Sequence, residues 1–314
     1  MTQMKKCFWV TGFLFISFIG LSTSCKKKSA SDHQPTVAAT AFTKPSIPHS
    51  ITTKEEAAQF LAIHYWENFN FNDTLQNKNP DITEQAIVDF IGVLHNVPLE
   101  IRQDAMDRAL QSAASNPNMF RYFWTTLKRY LDDPNSPIRD EDLYITVCQS
   151  IGKLENIDIV IKSNAAFYLQ QAIKNRVGSQ AADFRFTDEK GRKRKLSSVS
   201  ANYTLIFFYD PECDNCTKMK QDMREMDFLN ALIDDSKISI LAFSPQDNVQ
   251  EWKQHLSECS PKWINGYDPN GDFSSKQLYD IKAFPTLYLL DKNKKVVLKD
   301  VTLDAVLSYL NKNA

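Results

Sequence analysis

The spacing of apolar residues changes near Gly178, and this change constrains the fold more than any other feature of the chain. Before that point, apolar residues recur three and four positions apart, which is the period of a helix face. Examples are Ile87, Phe90, Ile91 and Leu94, then Phe120, Phe123, Trp124 and Leu127. After it, solid apolar runs of strand length alternate with amphipathic stretches. The sequence therefore predicts an α+β chain with an all-α domain over residues 54–177 and an α/β domain over residues 178–314.

The pattern also places individual elements. Five or six helices and no strand are expected before Gly178. Beyond it, the predicted strands are residues 183–186, 203–209, 237–243, 286–290 and 294–298. The predicted helices of that half are residues 216–233, 249–257, 274–279 and 303–311. Strands that alternate with helices favour a central sheet that is covered on both faces.

Composition and charge exclude several classes of protein. With 314 residues and 43% hydrophobic residues, the chain is long and apolar enough to bury a sizeable core. The formal net charge is −1, so the chain lacks the basic excess that nucleic-acid binding requires, and we expect no nucleic-acid partner. Six cysteines are too few for a fold held together by disulfides.

The N-terminus has the pattern of a signal peptide. Lys5 and Lys6 precede an apolar run of 15 residues that ends at Leu21, which is short for a membrane span. Small residues then lead to Cys25 and resemble a bacterial lipobox, although Leu21 lies one position further from the cysteine than is usual. We therefore predict a lipoprotein signal peptide over residues 1–24 and a lipid on Cys25. An ordinary cleaved signal or an uncleaved anchor remains the alternative.

Residues 25–53 are expected to form a flexible tether. They begin with Lys26, Lys27 and Lys28, and then consist mainly of serine, threonine, alanine and proline without a periodic apolar pattern. The lysines either contact anionic head groups or are simply solvated. Together with the lipid, the tether predicts a location in the cell envelope, attached to a bacterial membrane and facing the periplasm or the cell surface.

The chemistry of the chain is expected at Cys213 and Cys216. This C-x-x-C pair follows a predicted strand and begins a predicted helix. Unpaired N–H groups and the helix dipole at such a position favour the thiolate of the first cysteine, which is the form that attacks a disulfide. The second cysteine lies about one turn further along, where it is able to resolve a mixed disulfide within the same molecule.

Three stretches of the C-terminal half resemble the thioredoxin family, particularly its membrane-tethered extracytoplasmic members. They are residues 181–184, residues 207–216 and residues 279–288, the last of which contains a Pro-Thr step before a strand. The resemblance implies that Cys213 is the nucleophile and Cys216 the resolving thiol. It also implies a cis bond between Phe284 and Pro285, and a substrate groove formed by Phe284, Pro285 and Thr286. The implied activity is thiol–disulfide oxidoreduction on protein disulfides, as a reductant or isomerase, with an electron donor outside the cytoplasm and neither metal nor cofactor.

The helical half resembles an uncharacterised domain that precedes thioredoxin-like domains in bacterial lipoproteins. The resemblance rests on residues 65–71 and residues 133–139. That domain has no assigned activity, so the match predicts architecture without chemistry. The aromatic residues of the first stretch are expected to lie in the core, and a partner-binding patch is the alternative.

The chain departs from the thioredoxin pattern at two positions where relatives carry an acid: Phe207 lies six residues before Cys213, and Met219 three after Cys216. The sequence therefore offers no obvious proton acceptor. Three alternatives to the oxidoreductase stay open. The first is a zinc site that adds His255 and Cys259 to the cysteine pair. The second is a peroxidase, although Asp210 stands where such enzymes carry threonine. The third is a binding or assembly lipoprotein that uses the fold as a scaffold.

Overall fold

The computed structural model describes residues 42–73, 80–246 and 248–314. These described residues belong to one compact unit. The predicted signal peptide, Cys25 and the tether as far as residue 41 lie outside the described residues. Among the residues that are described, no helix has both the length and the apolar character that a membrane crossing requires.

Six helices form the N-terminal half within the described ranges, as the spacing predicts. They are α1 (Lys54–His64), α2 (Pro80–Leu94), α3 (Leu99–Ala113), α4 (Pro117–Leu131), α5 (Glu141–Lys153) and α6 (Ile159–Ala172). Polar side chains cap several N-termini: Thr53 accepts from the Glu56 N–H at 3.2 Å, and Asp140 accepts from the Leu143 N–H at 2.9 Å. The predicted start of this half at residue 54 coincides with the first helix.

The aromatic residues after α1 are core residues, as predicted, but they do not continue the helix. Helix α1 ends at His64, and the chain then runs through turns. Tyr65, Trp66, Phe69 and Phe71 are all buried, with exposed fractions of 8% or less. The ring of Trp66 lies 4.9 Å from that of Phe123 on α4, so these turns close one end of the bundle.

The described end of the predicted tether packs against the helical half. The ring of Phe42 lies 5.3 Å from the ring of Tyr65, and Lys44 forms an ion pair with Asp89 of α2 at 2.7 Å. The prediction of a free linker therefore does not hold for Phe42 and Lys44, because apolar and ionic contacts fix them to the bundle.

The C-terminal half contains a seven-stranded sheet in the order β2-β1-β5-β4-β3-β6-β7. Its strands are β1 (Arg185–Asp188), β2 (Lys193–Lys195), β3 (Tyr203–Phe208), β4 (Ile238–Ser244), β5 (Ile264–Tyr267), β6 (Thr286–Asp291) and β7 (Val296–Lys299). Its helices are α7 (Asp214–Glu225), α8 (Asp227–Asp234), α9 (Val249–Gln254), α10 (Asp272–Ser275) and α11 (Leu303–Asn313). Strands β3, β4 and β5 are parallel, whereas β6 is antiparallel to β3. Two buried apolar clusters cover the two faces of this sheet.

Strands β2 and β5 were not predicted from the sequence, for different reasons. Strand β2 is three charged residues long and lies at the sheet edge, so it has no apolar pattern. Strand β5 contains Gly266, which is unusual inside a strand. A Cβ atom at Gly266 would lie 2.5 Å from the ring of Phe186, so the glycine permits the close approach of β1. The predicted helix over residues 216–233 is divided at Met226 into α7 and α8.

Charged and polar contacts join the two halves. Lys299 at the end of β7 forms an ion pair with Glu141 at the start of α5 at 2.6 Å. Lys282, which precedes β6, forms an ion pair with Asp132 after α4. Asn175 donates to the Leu278 carbonyl at 2.9 Å. The helical half is therefore attached to the thioredoxin half close to the segment that leads into Pro285.

Candidate active site

Strand β3 and helix α7 place the two cysteines beyond the carboxyl end of β3, which is an interior strand of the sheet. Cys213 is the N-cap residue of α7, and its sulfur accepts the Cys216 backbone N–H at 3.2 Å. Cys213 is partly exposed, whereas Cys216 is fully buried in the first turn. Both are thiols in this structure. One reachable sulfur at the positive end of a helix, with a second sulfur behind it, is the arrangement that disulfide exchange requires.

The predicted substrate groove lies next to Cys213. The register between β3 and β6 pairs Phe208 with Thr286, so the segment before β6 comes beside the turn after β3. The Phe284–Pro285 bond is cis, as the resemblance implied. The Phe284 carbonyl lies 3.6 Å from the Cys213 sulfur, and the Thr286 hydroxyl donates to the Ala283 carbonyl at 2.6 Å. Residues 71 positions apart in the chain thus share one site.

Burial dominates the chemistry of Cys216. It raises the pKa of the Cys216 thiol well above its usual range, and the neighbouring Cys213 raises it further. Hydrogen bonding to the Asp210 backbone and the positive charge of Lys220 act in the opposite direction. The Cys216 thiol is therefore held in its protonated form, and Lys220 is the cation whose charge acts against this effect.

Lys220 is a buried charged side chain near the cysteine pair that the sequence analysis did not single out. Its side chain is fully buried, and its ammonium group forms an ion pair with Glu258 at 2.6 Å. The same group lies 4.6 Å from the ring centroid of Tyr209, the residue that follows β3. Lysine is seldom fully buried, since a buried charge is costly unless it is paired. The spacing offered a signal, because residues four apart share a helix face and Lys220 is four after Cys216.

The Glu258 carboxylate lies within hydrogen-bond distance of three side chains. Lys220 donates at 2.6 Å, and the Thr217 hydroxyl lies 3.2 Å away. A nitrogen of His255 lies 2.8 Å from the other oxygen. Burial alone would raise the pKa of Glu258, but the hydrogen bonds from Lys220 and His255 prevail and hold it below its usual range. A carboxylate that is 31% exposed thus connects the buried lysine with solvent.

Phe207 and Met219 occupy the two positions where relatives carry an acid. The acidic side chains nearby are hydrogen-bonded to other groups or exposed to solvent. Phe207 is buried, and its ring lies 5.3 Å from that of Tyr209. The Asp210 carboxylate accepts the Glu212 N–H at 3.0 Å and the Gln246 side-chain amide at 2.8 Å. Glu212 and Asp214 are exposed. Lys220 and Glu258 are therefore the charged groups behind the cysteine pair.

The alternative residues for a zinc site are engaged in other contacts. His255 is held by Glu258, and Cys259 is buried in the apolar cluster on the α7 face of the sheet. Within the described residues, no group of three or more His, Cys, Asp or Glu side chains is arranged to hold a metal ion.

Two further thiols are buried away from the pair. Burial raises the pKa of Cys148 to about 12, and it also raises the pKa of Cys259. Cys148 belongs to the helical core, whereas Cys259 belongs to a cluster of the C-terminal half, and both are free thiols. No disulfide joins Cys148 to Cys259 in this structure.

Comparisons with known proteins match the two parts of the chain to two different families. Residues 20–175 match a domain of unknown function, DUF5106. Residues 177–299 match the AhpC/TSA family. A thioredoxin-like protein from Bacteroides caccae, known from its crystal structure, is 38% identical and superposes with a TM-score of 0.79. That match covers 87% of this chain and 99% of the other chain.

More distant matches are to curated proteins named thiol-disulfide oxidoreductase ResA. The protein from Bacillus cereus is 24% identical over 151 residues, which is 46% of this chain and 83% of that protein. The protein from Geobacillus thermodenitrificans is 26% identical over 140 residues, which is 43% of this chain and 76% of that protein.

Proposed function

Because the chain belongs to the thioredoxin-like proteins of the AhpC/TSA family, with a DUF5106 domain ahead of its thioredoxin fold, we propose that it exchanges protein disulfides through Cys213 and Cys216. The observation that supports this most directly is the position of the Cys213 sulfur. It lies at the N-terminus of α7, partly exposed, with a buried thiol one turn behind it and the Phe284 carbonyl 3.6 Å away.

The reaction we propose proceeds in two thiol exchanges. The Cys213 thiolate attacks one sulfur of a substrate disulfide, and the other substrate sulfur leaves as a thiol after protonation. Cys216 then loses its proton and attacks the Cys213 sulfur, which releases the second substrate thiol. The substrate gains two electrons and two protons, and Cys213 and Cys216 end as a disulfide. An external donor then has to reduce that disulfide before the next turnover.

Lys220 would control the second exchange. Burial disfavours the Cys216 thiolate, and a buried ammonium group on the next turn of α7 opposes that effect. We assign Lys220 as a positioning residue, because it acts through Cys216 and does not touch the substrate. Glu258 holds the lysine in place and remains in contact with solvent.

The test of the cysteine assignment is a reduction assay with insulin as the substrate. Wild type should reduce insulin, Cys213→Ser should fall to the uncatalysed rate, and Cys148→Ser should match wild type because Cys148 lies in the helical core. Equal background rates for wild type and Cys213→Ser would instead favour a scaffold protein. Faster turnover of hydrogen peroxide than of insulin by wild type would point to a peroxidase.

We further propose that the chain is anchored by a lipid on Cys25 and acts outside the cytoplasm. The support is the sequence pattern before Cys25, together with ResA-type relatives of the C-terminal half. Cys25→Ala should move the protein from the membrane fraction to the soluble fraction in a bacterial host that processes lipoproteins. An unmodified Cys25 in the intact mass of the wild-type protein would contradict the proposal.

A further inference from the structure

A cleft of about 760 Å³ lies between the helical half and the thioredoxin half. Its helical wall consists of residues from α4, from the turn after α4 and from α6. Its other wall consists of α10 and the segment that leads to the cis-proline, with Pro245 beyond the end of β4. The volume falls within the range of about 300–1,000 Å³ that is typical of ligand sites. Neither half forms this cleft alone.

The cleft and the cysteine site share one residue, Phe284. Phe284 lines the cleft, and the carbonyl of the same residue lies 3.6 Å from the Cys213 sulfur. A substrate that is bound to Cys213 therefore has its neighbouring residues at the mouth of the cleft. The ion pair between Lys282 and Asp132 fixes the two walls at this point, since Asp132 is only 4% exposed.

Aromatic side chains give the cleft its character. They are Phe167 and Tyr168 from α6, and Phe273, Tyr279 and Phe284 from the thioredoxin half. Phe167 is 45% exposed, so its ring is open to contact with a ligand in the cleft. The rings favour an apolar or aromatic side chain as the occupant.

The charges of the cleft balance one another. The lining has three cations and three anions, namely Lys128, Arg129, Lys282, Asp132, Asp133 and Asp280. Lys128 and Lys282 both pair with Asp132, and Arg129 pairs with Glu84 at 2.7 Å. Within the described residues, the cations of the cleft are therefore already neutralised. An anionic small thiol such as glutathione would therefore gain no ion pair with these cations. A neutral segment of polypeptide does not need such an ion pair.

We propose that the cleft holds the segment of a protein substrate next to its reacting cysteine, and that it selects an apolar or aromatic residue there. The helical domain would thus take part in substrate selection by supplying Phe167 and Tyr168. This inference rests on the proposed function, because it takes Cys213 as the point to which the substrate is attached. It assigns a role to the domain for which the sequence predicted architecture alone.

Binding of two labelled peptides to the full reduced chain tests the proposal. Both carry serine in place of cysteine, so that no covalent bond forms; one has phenylalanine on each side of the serine, and the other has glycine. Fluorescence anisotropy should show tighter binding of the phenylalanine peptide to wild type. Phe167→Ala should weaken that binding about tenfold, the size of effect expected for a central aromatic contact. Phe228→Ala is the matched control, since Phe228 is 38% exposed on α8 outside the cleft.

Each outcome decides one question. Equal affinity of wild type for the two peptides, no binding of either, or equal effects of Phe167→Ala and Phe228→Ala would overturn the cleft proposal. The insulin assay is run beside it on the same preparations. Weakened peptide binding in Phe167→Ala, together with a wild type that does not reduce insulin, would retain the cleft and reject the proposed disulfide exchange. Equal melting temperatures of the two variants exclude a folding defect as the cause.

Discussion

The two halves of the molecule bury charge in different places. In the helical half, within the described residues, the buried charged side chain is Asp132, and it faces the thioredoxin half through Lys282. In the thioredoxin half, buried charges organise turns, as at Asp188 and Asp268, or lie behind the cysteine pair, as at Lys220. A buried charge is costly unless it is paired, and the partner of Asp132 places the buried charge of the helical half at its contact with the C-terminal half.

The same contrast appears in the two most informative thiols. Cys148 and Cys216 are both fully buried, and burial raises the pKa of each. Cys148 lies among the apolar residues of the bundle. Cys216 has a second sulfur one turn before it and a lysine one turn after it. Burial alone therefore does not distinguish the two thiols, whereas the second sulfur beside Cys216 does.

Serine substitution of these two thiols should give the largest difference. Cys216→Ser should stop the reaction after the first exchange, because no second sulfur remains to release the substrate, so adducts of Cys213 should accumulate. Cys148→Ser should form no such adducts and should lose only about 1–3 kcal/mol of unfolding free energy, since a hydroxyl replaces a thiol in an apolar core. Non-reducing mass spectrometry detects the adducts. Their absence in Cys216→Ser would contradict the role of Cys216.

A fragment of the chain tests whether the C-terminal half folds without the helical half. Both apolar clusters of the sheet are built from residues after 178, so a fragment of residues 178–314 should fold alone. It should lose about 1–3 kcal/mol of unfolding free energy, because the ion pairs of Lys282 and Lys299 with the bundle are gone. Chemical denaturation followed by circular dichroism measures this. A fragment with no cooperative transition would show that the bundle completes the core.

Replacement of the buried lysine isolates its effect on the resolving thiol. Lys220→Met keeps the apolar length but removes the charge that favours the Cys216 thiolate. Resolution of the mixed disulfide should slow by about tenfold at pH 7 and recover at higher pH, since an opposite charge commonly shifts a pKa by one unit or more. Lys218→Met, on an exposed position of the same helix, is the control. Rate–pH profiles that coincide with wild type would contradict the assignment.

Much of the fold could be predicted from the sequence, because the buried apolar residues follow the spacing of a helix or form runs of strand length. The helices of the bundle and five of the seven strands show such a pattern, whereas β2 is an edge strand with three charged residues and β5 contains Gly266. The site was harder to predict from the sequence than the fold. Spacing identified Cys213 and Cys216, but the approach of Phe284 depends on the pairing of β3 with β6, and only the family resemblance indicated it.

Lys220 and the cleft show where sequence reasoning stops. A lysine among charged residues looks like part of a solvated helix face, and its burial follows from the position of Glu258, 38 residues later. The cleft depends on how two domains pack, which no local pattern records. Both features are tertiary, so both required coordinates.

Acid should reveal the contribution of Glu258 to stability. Its pKa is held below the usual value, so its stabilising effect is present above the unfolded-state pKa of about 4.3 and is lost as the pH falls through the lower folded-state value. Glu258→Gln should therefore cost about 1–2 kcal/mol at pH 7, and the difference from wild type should disappear in acid below that pKa. Glu225→Gln, at an exposed position on α7, is the control. A difference that does not depend on pH would contradict this origin.

The smallest expected effect concerns the direction of electron flow. Asp214 is exposed in the first turn of α7, where its negative charge opposes a thiolate on Cys213. Strongly oxidising members of the fold owe their potential to a stabilised thiolate, so this pair should be more reducing than about −120 mV. Asp214→Asn should make it more oxidising by about 6–20 mV, which corresponds to ~0.3–1 kcal/mol at ~30 mV per 1.4 kcal/mol.

Equilibration with glutathione measures both quantities, and Asp222→Asn, further along α7 and also exposed, is the matched control for charge removal far from the sulfur. The helix dipole and the screening of exposed charge both act over about one turn, so only the substitution at Asp214 should change the potential. Equal shifts in the two variants would mean that net charge and not local charge sets the potential. A wild-type potential near −120 mV, on the order of the strong periplasmic oxidants, would reverse the direction and make the pair a donor of disulfides.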